Sequence, residues 1–376
     1  MARTLGIDLG NSKVKYVALE SSGDRPTARY ATYTLPYSAD LMPDRSTDFE
    51  AGLVTTSATF MAETGLKAGD FDQVIVATSH FYSYPSFRQA LHHTARLTHV
   101  LWGDAVRLIG ADGRLYTTEE ALERTGSEVV RFAATKFWGS AYLASKLIQR
   151  GLSVDVGTTS TDAIAIVDGQ IDPTSHHDPD RFNLGRLESQ RLMWYGMTAT
   201  PLDYAARRAS VGERSYYLYP RMAQTECLTR ILDLVPEELA RQHAYFGRYP
   251  SREEALFELA QAFGLDRELL SDQDLVDLAG NLHRQLIARV AEGVARVIAQ
   301  AGLGHPASIQ AAVMGLGKDA LARQALLACG VKHDRIVDVE SVIGPELVAV
   351  STAYGVALKG LEEVVGHSFG FEVAHR

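Results

Sequence analysis

The chain has 376 residues, of which 46% are hydrophobic and 22% charged, and its formal net charge is −9. This length exceeds the size at which one hydrophobic core usually stops growing, so we expect two domains, and the negative charge argues against a general nucleic-acid or anionic-membrane surface. Because no apolar run approaches the roughly 20 residues that cross a bilayer, and the chain enters a strand directly at its N-terminus, the sequence predicts a cytoplasmic protein.

The first predicted element is a β-hairpin over residues 5–19. An apolar strand reaches Asp8, a turn of small polar residues follows, and a second strand with alternating apolar residues comes after the turn. The backbone N–H groups of such a turn can hold an oxyanion. We therefore predict a phosphate-binding loop that is formed by Gly10, Asn11, Ser12 and Lys13.

A buried strand at residues 71–80 ends in a polar loop. Open α/β sheets carry functional groups where their strands end, so His80 and Tyr82 are candidate substrate-binding residues. Ordinary aromatic packing is the alternative for this loop. In the helix that follows, His92 and His93 are adjacent and point to different faces, which disfavours a shared metal ion.

A second hairpin is predicted over residues 154–167, with Asp155 before its turn and Asp162 after it. Taken alone, the pattern fits either a tight turn or a phosphate loop. It repeats the plan of the first hairpin about 147 residues further along the chain, which indicates a duplicated domain facing itself across a cleft. The repeat favours a second phosphate loop, formed by Gly157, Thr158, Thr159 and Ser160.

Small residues are frequent in two helix-like segments, 133–150 and 346–358. Small side chains let helix backbones approach closely, so these segments fit either a hinge between domains or ordinary core packing. Farther along, residues 275–300 have the apolar stripe of an amphipathic helix that packs on a core. Cys227 and Cys329 match no metal-binding spacing, and we expect buried thiols.

Residues 168–220 have little periodicity and read as a long loop, which is uncommon in a compact domain unless the loop binds something. His176, His177 and Asp178 could chelate a cation there, but we favour a solvated turn. Trp194 and Tyr195 are the aromatic residues of this segment that we take as candidate substrate-binding residues.

A third candidate loop follows the apolar residues 309–314. Gly315 and Gly317 form a Gly-x-Gly pattern, and Lys318 comes next, where a helix is predicted to begin. A lone Gly-x-Gly is a weak signal. After two Asp-x-Gly hairpins, it is the third element expected of a site for a phosphate compound.

These loops resemble those of the superfamily of acetate and sugar kinases, Hsp70 and actin (ASKHA), at residues 8–13, 155–162 and 315–317. Within it, the sequence is similar to the hydantoinase/oxoprolinase branch. There it resembles the family of tetrahydromethanopterin-linked one-carbon transfer proteins and furanylmethanamine synthases of methanofuran biosynthesis. This similarity covers the first hairpin and most of the chain from about residue 130, and includes Tyr195-Gly196, Thr200-Pro201-Leu202 and the Arg252-Glu253-Glu254-Ala255 helix start.

The resemblance implies an α/β fold with two ribonuclease-H-like domains, of the actin and hexokinase type, and a ligand cleft between them. We expect the first domain to cover residues 1–132 and to be completed by a C-terminal helix at 345–362. The second is expected at residues 133–344, with a mainly helical insertion at about 181–301.

The resemblance also implies a transferase that joins a furan-methyl diphosphate to the phenol oxygen of tyramine, γ-glutamyltyramine or a tyrosine-like acceptor and releases diphosphate. Asp8, Asp155 and Asp162 are then the candidate catalytic acids. Asp8 and Asp155 are also the candidate ligands of Mg²⁺, which needs only one or two carboxylates. The turn amides, with Lys13 or Lys318, would neutralise the diphosphate.

The alternative of the same fold is an ATP-dependent small-molecule kinase or ATPase, and a hydantoinase-type ATP-dependent hydrolase or a nucleotide-sensing module is a weaker one. In every case the expected partners are small molecules, and neither nucleic acid nor a membrane is expected. A homodimer is compatible with the sequence.

Overall fold

The computed structural model describes residues 1–10, 13–23, 25–35, 46–79, 84–172, 174–188, 191–220, 222–244 and 248–371. The chain forms two compact units. The first contains Met1–Gln149, Ile166–Ser189 and Val339–Arg376, and the second contains Arg150–Ala165 and Gln190–Asp338. The first unit extends to Gln149 and includes the segment that contains the helix Ser351–Val365.

Fourteen strands are present among the described residues. They are β1 (Arg3–Leu9), β2 (Lys13–Glu20), β3 (Thr27–Thr34), β4 (Gln73–Thr78), β5 (Val106–Ile109), β6 (Leu115–Thr117), β7 (Arg150–Val156), β8 (Thr161–Val167), β9 (Gln170–Ile171), β10 (Leu192–Met193), β11 (Arg208–Val211), β12 (Arg214–Tyr217), β13 (Gln310–Met314) and β14 (Ile336–Asp338).

The α-helices of the described ranges are α1 (Ser46–Thr64), α2 (Phe87–Trp102), α3 (Thr118–Leu122), α4 (Phe137–Leu147), α5 (Thr174–His177), α6 (Pro179–Glu188), α7 (Leu202–Ala205), α8 (Thr225–Ile231), α9 (Glu237–Gln242), α10 (Arg252–Ala262), α11 (Asp272–Gln300), α12 (Gln324–Ala328), α13 (Glu340–Ile343) and α14 (Ser351–Val365). None of them is long and apolar enough to cross a membrane.

The two main sheets share one plan. The first has the order β3-β2-β1-β4-β5-β6, in which β1 to β3 form an antiparallel meander and β4 and β5 continue in parallel with β1. The second has the order β10-β8-β7-β13-β14, in which β13 and β14 likewise continue in parallel with β7. This repeated order is that of a ribonuclease-H-like sheet, so the predicted α/β fold is confirmed.

A helical layer with its own apolar core lies in the second unit, where it includes α8, α10 and the first half of α11. The helix predicted at residues 275–300 is α11. Ser271 caps it, since its hydroxyl accepts a hydrogen bond from the Asp274 amide while the Asp274 carboxylate accepts one from the Ser271 amide. Both Cys227 and Cys329 are free thiols, and burial raises the pKa of each.

The prediction of a long loop after residue 168 is wrong in its first part, because α5 and α6 occupy Thr174–His177 and Pro179–Glu188. The buried residues of α6 are Phe182, Asn183 and Arg186. Two of these three side chains are polar, so the buried face of α6 has no apolar stripe, and periodicity could not detect the helix.

The two small-residue segments pack against each other as α4 and α14, both within the first unit. At their crossing, a Cβ atom on Gly139 would lie 2.1 Å from the carbonyl oxygen of Thr352, and one on Gly355 would lie 2.1 Å from the carbonyl oxygen of Gly139. The backbones are therefore in direct contact, which is the core-packing alternative of the sequence analysis.

We predict that Gly355→Ala destabilises the protein by about 1–3 kcal/mol, because a backbone carbonyl cannot rotate away from the added methyl group as a side chain could. Gly280→Ala in α11 is a matched control, since its Cβ would meet only the Arg284 guanidinium at 3.5 Å. There the better helix propensity of alanine should raise stability by about 0.5–1 kcal/mol. Urea denaturation followed by circular dichroism measures both changes, and equal effects would contradict the packing argument.

Candidate functional site

The turn between β1 and β2 carries a buried acid with an unsatisfied oxygen. The Gly10 amide closes this turn by donating to the Lys13 carbonyl at 3.0 Å. Asp8 is 4% exposed, and its Oδ2 lies 3.6 Å from the Nζ of Lys15, its cross-strand neighbour. Its Oδ1 is buried and has no hydrogen-bond partner within the described ranges. A buried carboxylate oxygen in this state suits a cation or its water ligands.

Two other groups surround this turn. The buried ammonium of Lys13 donates to the Thr34 hydroxyl on β3 at 2.8 Å. Where β4 ends beside β1, the amide and the hydroxyl of Ser79 donate to the Leu9 carbonyl at 2.8 and 3.1 Å. The predicted site residues Asn11, Ser12, His80 and Tyr82 lie outside the described residues.

The turn between β7 and β8 has the same spacing, because the Gly157 amide donates to the Ser160 carbonyl at 2.9 Å. When the two closing hydrogen bonds are aligned, Asp155 takes the place of Asp8, and Asp162 takes the place of Lys15. Asp155 is 8% exposed and Asp162 2%. The second hairpin therefore carries two buried acids at the positions where the first carries an acid and a lysine.

The loop at residues 194–200 covers this second turn. The Met197 amide donates to the Gly157 carbonyl at 3.1 Å, and the amides of Thr198 and Ala199 donate to the Thr158 carbonyl at 3.0 Å each. In contrast, no described residue accepts a hydrogen bond from the half-buried amides of Thr158 and Thr159. The carbonyls of the turn are thus occupied, and two of its amides can bind an anion.

The Gly-x-Gly segment lies against the same hairpin. Gly315 has a φ of +82°, and a Cβ atom there would lie 2.3 Å from Oδ1 of Asp155. The Gly317 amide donates to the Val156 carbonyl at 3.0 Å. The second unit therefore brings together two of the three loops that the sequence predicted to share a site.

Lys318 begins a turn of π-helix, Lys318–Arg323, directly after this segment. Its ammonium lies 2.6 Å from the carboxylate of Asp338 and 2.9 Å from that of Asp319. Since two carboxylates compensate its charge, Lys318 supplies less positive potential to a phosphate than the sequence suggested.

The predicted aromatic residues Trp194 and Tyr195 lie in the loop that covers the second turn. The Thr161 hydroxyl donates to the Tyr195 carbonyl at 2.6 Å, and the Tyr195 ring lies 5.3 Å from that of Tyr204. Burial raises the pKa of the Tyr195 hydroxyl. Trp194 is half-buried. Tyr195 therefore already has an aromatic neighbour on the protein.

Lys15 is the site residue that the sequence analysis missed, although the hairpin pattern contained the signal. Counting outward from the turn places Lys15 opposite Asp8, as the strand register shows. No cluster of three or more His, Cys, Asp or Glu side chains that could hold a metal is present in the described parts of the chain, and this includes His176, His177 and Asp178.

Comparison with known proteins gives the family. The hydantoinase/oxoprolinase family matches residues 84–363. The (4-{4-[2-(gamma-L-glutamylamino)ethyl]phenoxymethyl}furan-2-yl)methanamine synthase of Methanocaldococcus jannaschii is 20% identical over 355 residues, which are 94% of this chain and 96% of that protein. The synthase of the same name from Methanococcus vannielii is 20% identical over 219 residues, 58% of this chain and 93% of that protein.

Among solved structures, acetone carboxylase without nucleotide matches 94% of this chain and 70% of its own, at 13% identity and a TM-score of 0.58. That likeness concerns the fold alone. The family match covers most of the sequence and includes the second hairpin, its covering loop and the Gly-x-Gly segment. The protein is therefore a member of the hydantoinase/oxoprolinase family, with an ASKHA-type fold.

Proposed function

We propose that the protein is a transferase of methanofuran or methylofuran biosynthesis, which joins a furan-methyl diphosphate to a phenol oxygen. The observation that carries the proposal is the similarity to the Methanocaldococcus jannaschii synthase over nearly the whole of both chains. The name of that synthase describes a phenoxymethylfuran, which contains an ether between a phenol oxygen and the methylene carbon of a furan. The acceptor phenol in that name is γ-glutamyltyramine.

The reaction forms one bond and breaks another at the methylene carbon. The phenol oxygen attacks this carbon, the bond from carbon to the diphosphate oxygen breaks, and diphosphate leaves with the bonding electron pair. The phenol proton passes to a base, because a phenol with a pKa of about 10 is a poor nucleophile at neutral pH. Asp155 and Asp162 are the candidate bases.

Negative charge on the leaving diphosphate must be neutralised for the bond to break. The amides of Thr158 and Thr159 provide hydrogen-bond donors of fixed orientation. Asp8, through its unsatisfied Oδ1, and Asp155 are the residues that would hold Mg²⁺ or its waters. When bound, Mg²⁺ supplies positive charge to the diphosphate oxygens.

An ATP-dependent kinase or ATPase is the second candidate. The observation that favours it is the Gly-x-Gly segment against the second hairpin, because a glycine-rich turn that leads into a helix is a recurrent phosphate-binding arrangement of nucleotide sites. The hydantoinase/oxoprolinase match also keeps an ATP-dependent hydrolase as a weaker alternative.

Purified protein with Mg²⁺, an aminomethylfuran-methyl diphosphate and γ-glutamyltyramine should release diphosphate and form the ether in equal amounts, as measured by a diphosphate assay and mass spectrometry. Tyramine and tyrosine are the other acceptors to compare. γ-Glutamylphenethylamine, which lacks the phenol oxygen, is the matched control and should give no ether. Rapid ATP turnover without any furan chemistry would contradict the transferase proposal and support the kinase or ATPase.

We predict that Asp155→Asn and Asp8→Asn each lower the turnover number by about 10²–10³, because each removes a negative charge from the candidate cation site. Asp104→Asn is the control, since the Asp104 side chain is fully exposed. Circular dichroism should show that all three variants fold. If Asp155→Asn unfolded the protein, a structural role for this acid would replace the catalytic one.

Gly315→Ala should reduce turnover more than its backbone strain explains, because the new methyl group would displace the Asp155 carboxylate. Gly302→Ala is the matched control. Gly302 also has a positive φ, +59°, but nothing lies within 4 Å of its added Cβ. Gly302→Ala should lose about 1–2 kcal/mol of stability in thermal unfolding. Gly315→Ala should lose more, because its methyl group would also lie 2.5 Å from the Val156 carbonyl oxygen, and it alone should lose at least about tenfold in turnover. Equal turnover in the two variants would argue against the contact with Asp155.

A further inference from the structure

We propose that Arg186 and Asn183 of α6 are positioning residues for the first hairpin. They hold residues 130–135 in a strained backbone conformation, and these residues fix the end of β4 beside the strand that carries Asp8. The effect on catalysis depends on the proposed function, whereas the effect on the backbone does not.

Two polar side chains of α6 are fully buried, with 0% exposure for both Arg186 and Asn183. The guanidinium of Arg186 donates from Nη2 to the Ala134 carbonyl at 2.6 Å and from Nε to Oδ1 of Asn183 at 3.1 Å. It also lies over the Phe137 ring, 4.3 Å from its centroid. The amide nitrogen of Asn183 donates to the carbonyls of Val130 and Ala133, the latter at 2.7 Å. Three carbonyls of one short segment are therefore bound by one helix.

Ala134 has a φ of +48°, in the left-handed region that an alanine rarely adopts. Such a conformation persists only where the surroundings enforce it. The hydrogen bond from Arg186 falls on the carbonyl of this strained residue, and those from Asn183 fall on carbonyls just before it. A hydrocarbon side chain of similar size could fill the space of Arg186 but could not hold a carbonyl in place.

The strained segment contacts the end of β4 on its other side. The Thr135 hydroxyl accepts a hydrogen bond from the Thr78 amide at 3.2 Å, and the Thr78 hydroxyl donates to the Phe132 carbonyl at 2.6 Å. The next residue, Ser79, binds the Leu9 carbonyl with both its amide and its hydroxyl. Leu9 follows Asp8 directly, so unbroken contacts lead from Arg186 to the strand that positions the acid.

The N-terminal part of α6 is held to the same region by an ion pair. Arg131 binds Asp180 in a bidentate arrangement, with distances of 2.8 and 3.0 Å. This ion pair attaches the first turn of α6 to Arg131, while Asn183 and Arg186 attach its later turns to the carbonyls of residues 130, 133 and 134.

The test is a rescue experiment on Arg186→Met, Ala134→Gly and the double variant. Without the guanidinium, Ala134 should relax to a negative φ and release Thr78 and Ser79. Amide exchange with deuterium, measured by mass spectrometry on peptides that contain these two residues, should become about tenfold faster or more in Arg186→Met. Glycine adopts a positive φ without strain, so the double variant should return to within about threefold of the wild type.

Loss of packing or of a buried charge would not be repaired by a glycine at residue 134. Failure of Ala134→Gly to slow the exchange in the double variant would therefore overturn the proposal, as would unchanged exchange in Arg186→Met. If Arg186→Met does not fold, Arg186→Lys replaces it, because lysine keeps the charge but not the two-pronged donor. Arg29→Met is the matched control, since Arg29 is exposed and also donates to a carbonyl, that of Thr64, at 2.9 Å.

Kinetics separate this proposal from the proposed function. With the furan diphosphate and phenol as substrates, Arg186→Met should lower kcat about tenfold or more with little change in KM for the phenol, and Ala134→Gly should restore kcat in the double variant. If the wild type has no transferase activity while the exchange rates behave as expected, the proposed function fails and the positioning role stands.

Discussion

The first unit depends on direct contacts between backbones, which are possible only where a glycine leaves no side chain between them. A Cβ atom on Gly6 in β1 would lie 2.0 Å from the Ala353 carbonyl oxygen of α14, and the crossing of α4 with α14 is equally close. The C-terminal helix therefore sits on the central strand with no side chain between them at this point. Asp8 lies two residues after Gly6, so the packing that builds the core also sets the position of the candidate catalytic acid.

The hairpins of the two units have the same backbone turn but differ in charge at one position of the second strand. Both turns are closed by one hydrogen bond between residues of equivalent spacing, Gly10 with Lys13 and Gly157 with Ser160. Two residues after the carbonyl that closes the turn, the second strand has Lys15 in the first hairpin and Asp162 in the second. One repeated scaffold thus carries an acid whose charge a lysine partly compensates in the first unit, and two buried acids at the corresponding positions of the second.

Much of this arrangement could be predicted from sequence, because it depends on short-range patterns. The Asp-x-Gly spacing sets the hairpin register, and the stripe at residues 275–300 predicts α11. The role of Lys318 could not be predicted in this way, since its compensating partner Asp338 lies on β14, twenty residues farther along the chain. Helix α6 was missed for a different reason. Its buried face contains Asn183 and Arg186, which are residue types that sequence patterns assign to the solvent side. They are buried here because backbone carbonyls accept their hydrogen bonds, and those carbonyls cannot be identified from the sequence.

The order of segments along the chain has a consequence for synthesis on the ribosome. The second unit is complete once Asp338 has been made, whereas the first also needs the segment Val339–Arg376, which contains α14. Since α14 packs directly on β1, this strand has to wait until the whole second unit and then α14 have been synthesised before its core can close. We therefore expect the second unit to fold before the first during translation, and a nascent chain stalled before α14 to expose the apolar surface of β1 to chaperones.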